Sequence, residues 1–138
     1  MKTRLRILII DDERIVCERL THALEKFGFE VEAYTDSQQA LDRIAGHRFD
    51  VLVTDIKMRG PSGIDVLHFV RENHPHTKVI VITGFATVET AREVMKGGAV
   101  DFIPKPFRMS QLRDLILRIA EEQPGQAPAG KTTGPNEE

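Results

Sequence analysis

Acidic, hydroxyl and amino side chains follow several of the apolar segments of this chain. Asp11 and Asp12 end the first apolar run, Asp55 ends a later one, and Thr83 and Lys105 follow two more. Clustered carboxylates bind hard divalent cations, and an ammonium group can neutralise phosphate oxygens. These residue types therefore indicate a site for a hard divalent cation beside an ammonium group, provided that the fold brings them together.

Apolar runs alternate with segments of helical periodicity along the chain. Residues 5–10 form a β-prone run, and apolar residues recur behind it at helical spacing as far as Phe27. Gly28 stands where that helix needs its C-terminal cap. The same couplet repeats four times, with strands predicted near 29–34, 50–54, 78–82 and 99–103 and helices near 37–45, 62–73, 87–96 and 109–120.

This alternation predicts a parallel sheet covered by helices on both faces, with right-handed crossovers. Strand two alternates apolar and charged residues, as in Phe29 and Glu30, which favours an edge position. Strand five contains Asp101 and runs into Pro104, which favours the opposite edge. We predict a doubly wound, flavodoxin-like α/β fold with five strands in the order 2-1-3-4-5. Ligands bind such sheets beyond the carboxyl ends of the strands, where the polar residues lie.

Each polar residue also has a purely structural interpretation. Asp11 or Asp12 could cap helix one, and Asp55 could start a turn. Thr83 is β-prone, and Lys105 could be a solvated surface charge. The joint placement favours a site, because carboxylates 4 Å apart repel by roughly 4 kcal/mol per pair at an effective dielectric constant near 20. A cation would relieve that repulsion, and an all-oxygen donor set that leaves room for waters favours Mg²⁺.

Composition indicates a globular domain. Of the 138 residues 41% are hydrophobic and 29% are charged, and the formal net charge is −2. The basic residues are dispersed, so we expect no direct nucleic-acid or membrane partner. The apolar run near Met1 is too short for a signal peptide or a membrane span, which predicts a cytoplasmic protein. Cys17 is the single cysteine and cannot form an internal disulfide.

Composition and periodicity divide the chain into two predicted segments. Residues 1–121 are predicted to form the domain. Residues 122–138 are rich in Gly and Pro and lack apolar periodicity, so we predict a disordered tail or linker.

The polar residues and their spacing resemble the receiver domain of bacterial response regulators, over residues 5–120. The segments Met58–Gly63 and Phe102–Phe107 resemble the same family. The resemblance implies a phosphorylation switch in a two-component phosphorelay, served by a sensor histidine kinase or phosphotransfer protein, rather than a turnover enzyme. The residues that carry it are Asp11, Asp12, Asp55, Thr83, Lys105 and Pro106.

The resemblance also implies a role for each matching residue at the metal. Asp55 is the phosphoacceptor. Asp12 and Asp55 bind Mg²⁺ directly, Asp11 acts mainly through water, and the backbone carbonyl of Lys57 is a further ligand.

The same resemblance assigns the phosphoryl contacts and the switch. Lys105 contacts the phosphoryl oxygens, Thr83 moves to hydrogen-bond them, and Phe102 is the aromatic partner of that movement. The Lys105–Pro106 peptide bond is expected to be cis.

The resemblance also implies that two variable positions flank the path of the water that hydrolyses the acyl phosphate. In this chain they are Lys57 and Phe85, which predicts slow autodephosphorylation. The alternative is that Phe85 packs against helix four and plays no part.

Two departures from the family pattern bear on the site. Arg59 stands where many members have proline, which leaves the geometry of that loop open. Phe102 occupies a position that is often Tyr, which favours an inward ring.

Two alternatives concern activity and output, and one expectation concerns assembly. A phosphatase with a catalytic aspartate would have a second acid two residues after its nucleophile, where this chain has Lys57. The chain resembles receivers of ATP-dependent transcription activators, so it could be a fragment of one. Phosphorylation-dependent dimerisation is expected through helix four, strand five and helix five, where Leu117 points outward.

Overall fold

Five strands and five helices alternate over residues 4–122, the part of the chain that the computed structural model describes. Every strand and helix predicted with bounds is present within two residues of its expected ends. The strands are β1 (Arg6–Ile10), β2 (Glu30–Tyr34), β3 (Val51–Thr54), β4 (Lys78–Thr83) and β5 (Asp101–Pro104), and the helices are α1 (Arg14–Lys26), α2 (Ser37–Gly46), α3 (Gly63–Asn73), α4 (Val88–Lys96) and α5 (Met109–Glu122).

Parallel pairing joins the strands in the order β2-β1-β3-β4-β5, which confirms the predicted topology. In the centre of the sheet Ile10 of β1 pairs with Thr54 of β3. The Asp55 amide then donates a 3.0 Å hydrogen bond to the Ile10 carbonyl. Because the two strands end in register, Asp11 and Asp55 leave the sheet side by side.

The central strands bury side chains on both faces of the sheet. Ile7 and Ile9 of β1 belong to the hydrophobic cluster beneath α1 and α5. Leu8 and Ile10 belong to the cluster beneath α2, α3 and α4. Burial of such a side chain contributes about 1.5–3 kcal/mol to the stability of the fold. The alternation along β1 therefore holds helices on both faces of the sheet.

The end of α1 differs from the expected apolar stripe. Phe27 continues the helical spacing of the apolar residues, yet it is 41% exposed. The helix ends at Lys26, and Gly28, with a φ of +94°, turns the chain away. The Phe27 ring instead lies 5.1 Å from the guanidinium carbon of Arg113 on α5.

The end of α5 extends past its predicted limit. The helix includes Glu121 and Glu122, since both are good helix formers. The predicted tail, residues 122–138, otherwise lies outside the described residues. Within residues 4–122, no helix is long and apolar enough to cross a membrane.

Candidate functional site

Three carboxylates meet at the carboxyl ends of β1 and β3. One oxygen each from Asp11, Asp12 and Asp55 lie within 4.8 Å of one another. The Asp11 side chain is 5% exposed and that of Asp55 is 11% exposed, so both are nearly buried, whereas Asp12 is exposed. Their mutual repulsion is about 4 kcal/mol for a pair at 4 Å, and positive charge held among them would offset it.

Lys105 supplies one positive charge to this cluster. Its ammonium donates hydrogen bonds of 2.9 Å to Asp11 Oδ2 and 3.0 Å to Asp55 Oδ2. Burial alone would lower the pKa of Lys105, but its hydrogen bonds to Asp11 and Asp55 outweigh that effect and raise the pKa. The side chain is therefore held charged between two nearly buried carboxylates, 94 and 50 residues away in sequence.

Local backbone bonds orient both buried carboxylates. Asp55 Oδ1 accepts a 2.6 Å hydrogen bond from the Ile56 amide, and Asp11 Oδ1 accepts a 2.9 Å bond from the Glu13 amide. The cap of α1 is Glu13, which makes no side-chain cap hydrogen bond. Capping therefore does not account for Asp12, whose exposed carboxylate faces the cluster.

The buried Cys17 contacts the turn that follows β1 and carries Asp11. Its thiol donates to the Asp11 carbonyl at 3.2 Å. Burial, and next the charge of Asp11, raise the pKa of this thiol. Cys17 is therefore a core residue that also contacts the turn after β1.

Thr83 ends β4 beside this cluster. Its side chain is fully buried, and Oγ1 accepts a 3.1 Å hydrogen bond from the Phe85 amide. The Lys105 amide donates to the Thr83 carbonyl at 2.9 Å, and the Lys105–Pro106 peptide bond is cis as expected. Phe102 is half-buried and packs against the cluster beneath α2, α3 and α4.

A buried hydroxyl holds the β3–α3 loop, whose geometry Arg59 left open. Ser37, with no exposed surface, donates a 2.9 Å hydrogen bond to the Arg59 carbonyl. Gly60 follows with a φ of +74°, and Ser62 and Asp65 form a capping box at the start of α3. Sequence reasoning missed Ser37, because nothing local indicates that the first residue of α2 contacts this loop.

Lys57 and Phe85 contact each other at the exposed rim. The Lys57 ammonium lies 4.2 Å from the centroid of the Phe85 ring. Phe85 is 53% exposed, so packing against α4 does not bury it. The family resemblance implies that both residues flank the path of the hydrolytic water, but it did not predict their mutual contact.

The donor chemistry of the acidic cluster fits a hard cation. Its side-chain ligands are carboxylate oxygens, with no His or Cys in the group among the described residues. His74 and His76 lie in the loop between α3 and β4, away from this cluster, and the ring centroid of His74 is 6.5 Å from that of Phe69. Few protein oxygens leave coordination positions for water, which suits Mg²⁺.

The fold and the position of the acids match those of a known family. The family model for the response regulator receiver domain matches residues 7–117. The chain belongs to this family. It is therefore a receiver domain of two-component response regulators, a regulatory switch that is phosphorylated on aspartate. Receiver domains of response regulators interact with histidine kinases and typically bind Mg²⁺ at their acidic pocket.

Curated relatives include response regulators from several bacteria. The chain is 31% identical over 129 residues to response regulator protein PilR of Pseudomonas aeruginosa, covering 91% of this chain and 29% of the relative. It is 36% identical to transcriptional regulatory protein FixJ of Bradyrhizobium diazoefficiens, covering 88% of this chain and 60% of the relative. The receiver domain thus spans between about a quarter and three-fifths of the length of its curated relatives.

Solved receiver domains superpose closely. The beryllofluoride-activated NtrC4 receiver domain dimer gives a TM-score of 0.80 at 34% identity, covering 85% of this chain and 97% of that chain. A CheY-like receiver domain protein from Methanospirillum hungatei gives a TM-score of 0.81 at 29% identity, covering 84% of this chain and 93% of that chain.

Proposed function

We propose that Asp55 accepts a phosphoryl group from the phosphohistidine of a sensor histidine kinase or phosphotransfer protein. The observation that carries this proposal is Lys105, whose ammonium bridges Asp11 and Asp55 at hydrogen-bond distance. An acceptor carboxylate beside a fixed positive charge is what transfer of an anionic phosphoryl group requires. The modified domain then controls an output partner.

The metal proposal rests on the three-carboxylate cluster. Mg²⁺ would be held by Asp11, Asp12 and Asp55, with the backbone carbonyl of Lys57 as a further ligand. When bound, the ion neutralises charge on the oxygens of the transferred group. Asp12 supports this assignment because its carboxylate is exposed to solvent, from which a hydrated ion arrives.

Transfer requires little covalent chemistry from the protein. A carboxylate oxygen of Asp55 forms the new P–O bond while the P–N bond to the donor histidine breaks, and the departing imidazole keeps that electron pair. No general base is needed, because a carboxylate has no proton to lose before it attacks. Lys105 contacts the phosphoryl oxygens and offsets their charge as the bond forms.

The switch uses residues already adjacent to the acceptor. The phosphoryl group adds negative charge and acceptor oxygens at Asp55. Thr83 turns its hydroxyl from the Phe85 amide towards those oxygens, and the Phe102 ring moves into the space that Thr83 leaves. Before phosphorylation Thr83 is buried and Phe102 packs against the core. The pair therefore has two discrete packed arrangements, one for each phosphorylation state, without stable intermediate positions.

The phosphorylated state decays by slow autodephosphorylation, which sets the duration of the signal. A phosphatase that turns over small esters is disfavoured, since Lys57 occupies the position where such an enzyme carries its second acid. Repeated release of phosphate from small esters, in place of stoichiometric labelling, would favour the phosphatase.

The output side of the proposal is protein association. We infer that phosphorylation strengthens self-association through α4, β5 and α5, where Leu117 is 44% exposed. The similarity to a beryllofluoride-activated receiver domain solved as a dimer supports self-association. Its dispersed basic residues make a protein, not nucleic acid, the direct partner of the domain.

Mass spectrometry with Mg²⁺ and acetyl phosphate tests the acceptor. Wild type and the control Asp114→Asn, which changes an exposed surface acid, should each gain one phosphoryl group. Asp55→Asn should gain none. Equal labelling of Asp55→Asn would refute the assignment.

A further inference from the structure

The β3–α3 and β4–α4 loops are joined by one side-chain contact across the rim of the site. Lys57 Nζ lies 4.2 Å from the ring centroid of Phe85, well inside the range of a cation–π interaction. Both side chains are exposed. Exposed side chains gain little from burial, so this electrostatic attraction is what orients the Phe85 ring towards Lys57.

Phe85 makes a second contact through its backbone. Its amide donates the 3.1 Å hydrogen bond that Thr83 Oγ1 accepts. Thr83 is fully buried, so this amide also satisfies a hydroxyl that solvent does not reach. One residue is thus held at its ring by Lys57 and at its amide by Thr83.

We propose that Lys57 is a positioning residue for Thr83, acting through Phe85. By fixing the Phe85 ring it keeps the Phe85 amide where Thr83 Oγ1 can accept from it, and so holds Thr83 in its unphosphorylated orientation. We call this Lys57–Phe85 contact the clasp. The inference rests on the proposed function, in which Thr83 turns towards a phosphoryl group on Asp55.

Phosphorylation itself would open the clasp. Lys57 stands two residues after Asp55, and phosphoryl oxygens carry full negative charge, whereas the face of an aromatic ring carries only a quadrupole. The Lys57 ammonium therefore leaves the Phe85 ring and contacts the phosphoryl oxygens instead. Phe85 is then released, and Thr83 loses the contact that opposed its movement.

Amide hydrogen exchange in the metal-free, unphosphorylated protein tests the clasp directly. Lys57→Met keeps the length of the side chain but removes the charge, and should raise the exchange rate of the Phe85 amide two- to fivefold, the size expected of an exposed cation–π contact. Lys57→Arg should restore the wild-type rate. The Gln38 amide, bonded to Asp36 Oδ1 at the start of α2, is the internal reference and should not change. An unchanged Phe85 rate in Lys57→Met would overturn the proposal.

A double-mutant cycle on beryllofluoride binding with Mg²⁺ tests its effect on the switch. Phe85→Leu removes the aromatic face but leaves Lys57 available to the phosphoryl mimic, and should tighten binding two- to fivefold. In the Lys57→Met background the same substitution should have no effect. Equal tightening in both backgrounds, or none in either, would contradict the clasp. If no variant bound the mimic, the proposed function would fail, while amide exchange would still decide on the clasp.

Discussion

The Cα of Gly63 packs directly against the backbone of Asp55. A Cβ at Gly63 would come within 2.8 Å of the Asp55 carbonyl carbon and 2.9 Å of Ile56 Cα, closer than real side chains approach. The Gly63 amide also donates a 2.8 Å hydrogen bond to the Ile56 carbonyl. The start of α3 therefore fixes the loop that presents the acceptor carboxylate, and only glycine fits there.

Gly63→Ala should destabilise the protein by about 2–3 kcal/mol, because rigid backbone on both sides must move to admit a methyl group. Denaturant unfolding measures this loss. Gly46→Ala, at the end of α2 with open space around it, is the matched control and should be neutral or slightly stabilising. Similar stabilities for the two variants would show that the Asp55 loop adapts.

Asp12→Asn should separate metal binding from stability. Removal of one of three mutually repelling charges should raise the metal-free free energy of unfolding by roughly 0.5–1 kcal/mol. The added stability from Mg²⁺, about 2.7 kcal/mol at 100 times the dissociation constant of the wild type, should largely disappear. Thermal melts with and without Mg²⁺ measure both. Glu13→Gln changes an exposed neighbour outside the cluster and should keep the added stability from Mg²⁺. If Asp12→Asn also kept all of this added stability, Asp12 would be excluded as a ligand.

The lifetime of the phosphorylated state should depend on the exposed rim. Phe85→Ala and Lys57→Asn should each lose phosphate several-fold faster than the wild type, because water must approach phosphorus opposite the Asp55 oxygen, past these side chains. Loss of label after removal of the phosphodonor gives the rate. Val88→Ala, at an exposed position early in α4, is the control. Equal rates in all four proteins would show that neither side chain guards the path.

Stability in acid should reveal the pairing of Glu32 with Arg43. The hydrogen bond from Arg43 is the main cause that lowers the pKa of Glu32 below its ordinary value of 4.5. A lowered folded-state pKa gives stability that is present above the ordinary value and is lost as pH falls through the folded value.

Glu32→Gln should therefore cost about 1 kcal/mol at neutral pH, and the difference from the wild type should shrink below about pH 4.5. Urea unfolding across this range measures the difference. Glu30→Gln, on the same strand and more exposed, should have a smaller effect at every pH. A Glu32→Gln deficit that stayed constant with pH would argue against the ion pair as its cause.

Self-association should require the outward face of α5. With beryllofluoride and Mg²⁺, the sedimentation mass of the wild type should rise towards that of a dimer, whereas Leu117→Glu should remain a monomer because a charge would be buried. Ile15→Glu, at a similarly exposed position on α1 (54% against 44% for Leu117), should associate as the wild type does. If Leu117→Glu dimerised, the interface would have to lie elsewhere. If the wild type did not dimerise, the proposed self-association would be refuted.

The sequence alone was enough to predict the fold class and to locate the candidate site. Asp11, Asp55 and Thr83 each end a continuous apolar run, and such runs identify buried parallel strands without any knowledge of long-range contacts. Once the strand order is predicted, the rule that ligands bind beyond the carboxyl ends places these residues together. Burial and periodicity are local properties, and they are encoded in short stretches of residues.

Contacts between loops were decided only by the tertiary structure. Three such contacts join residues whose local sequence does not indicate a contact partner. They are the Ser37 hydrogen bond to Arg59, the Lys57 contact with Phe85 and the close approach of Gly63 to Asp55. Phe27 shows the same limit, since it continues the apolar period of α1 yet lies exposed past the helix end. Such contacts depend on where separate elements pack in three dimensions, to within an ångström, and no propensity or spacing along the chain carries that information.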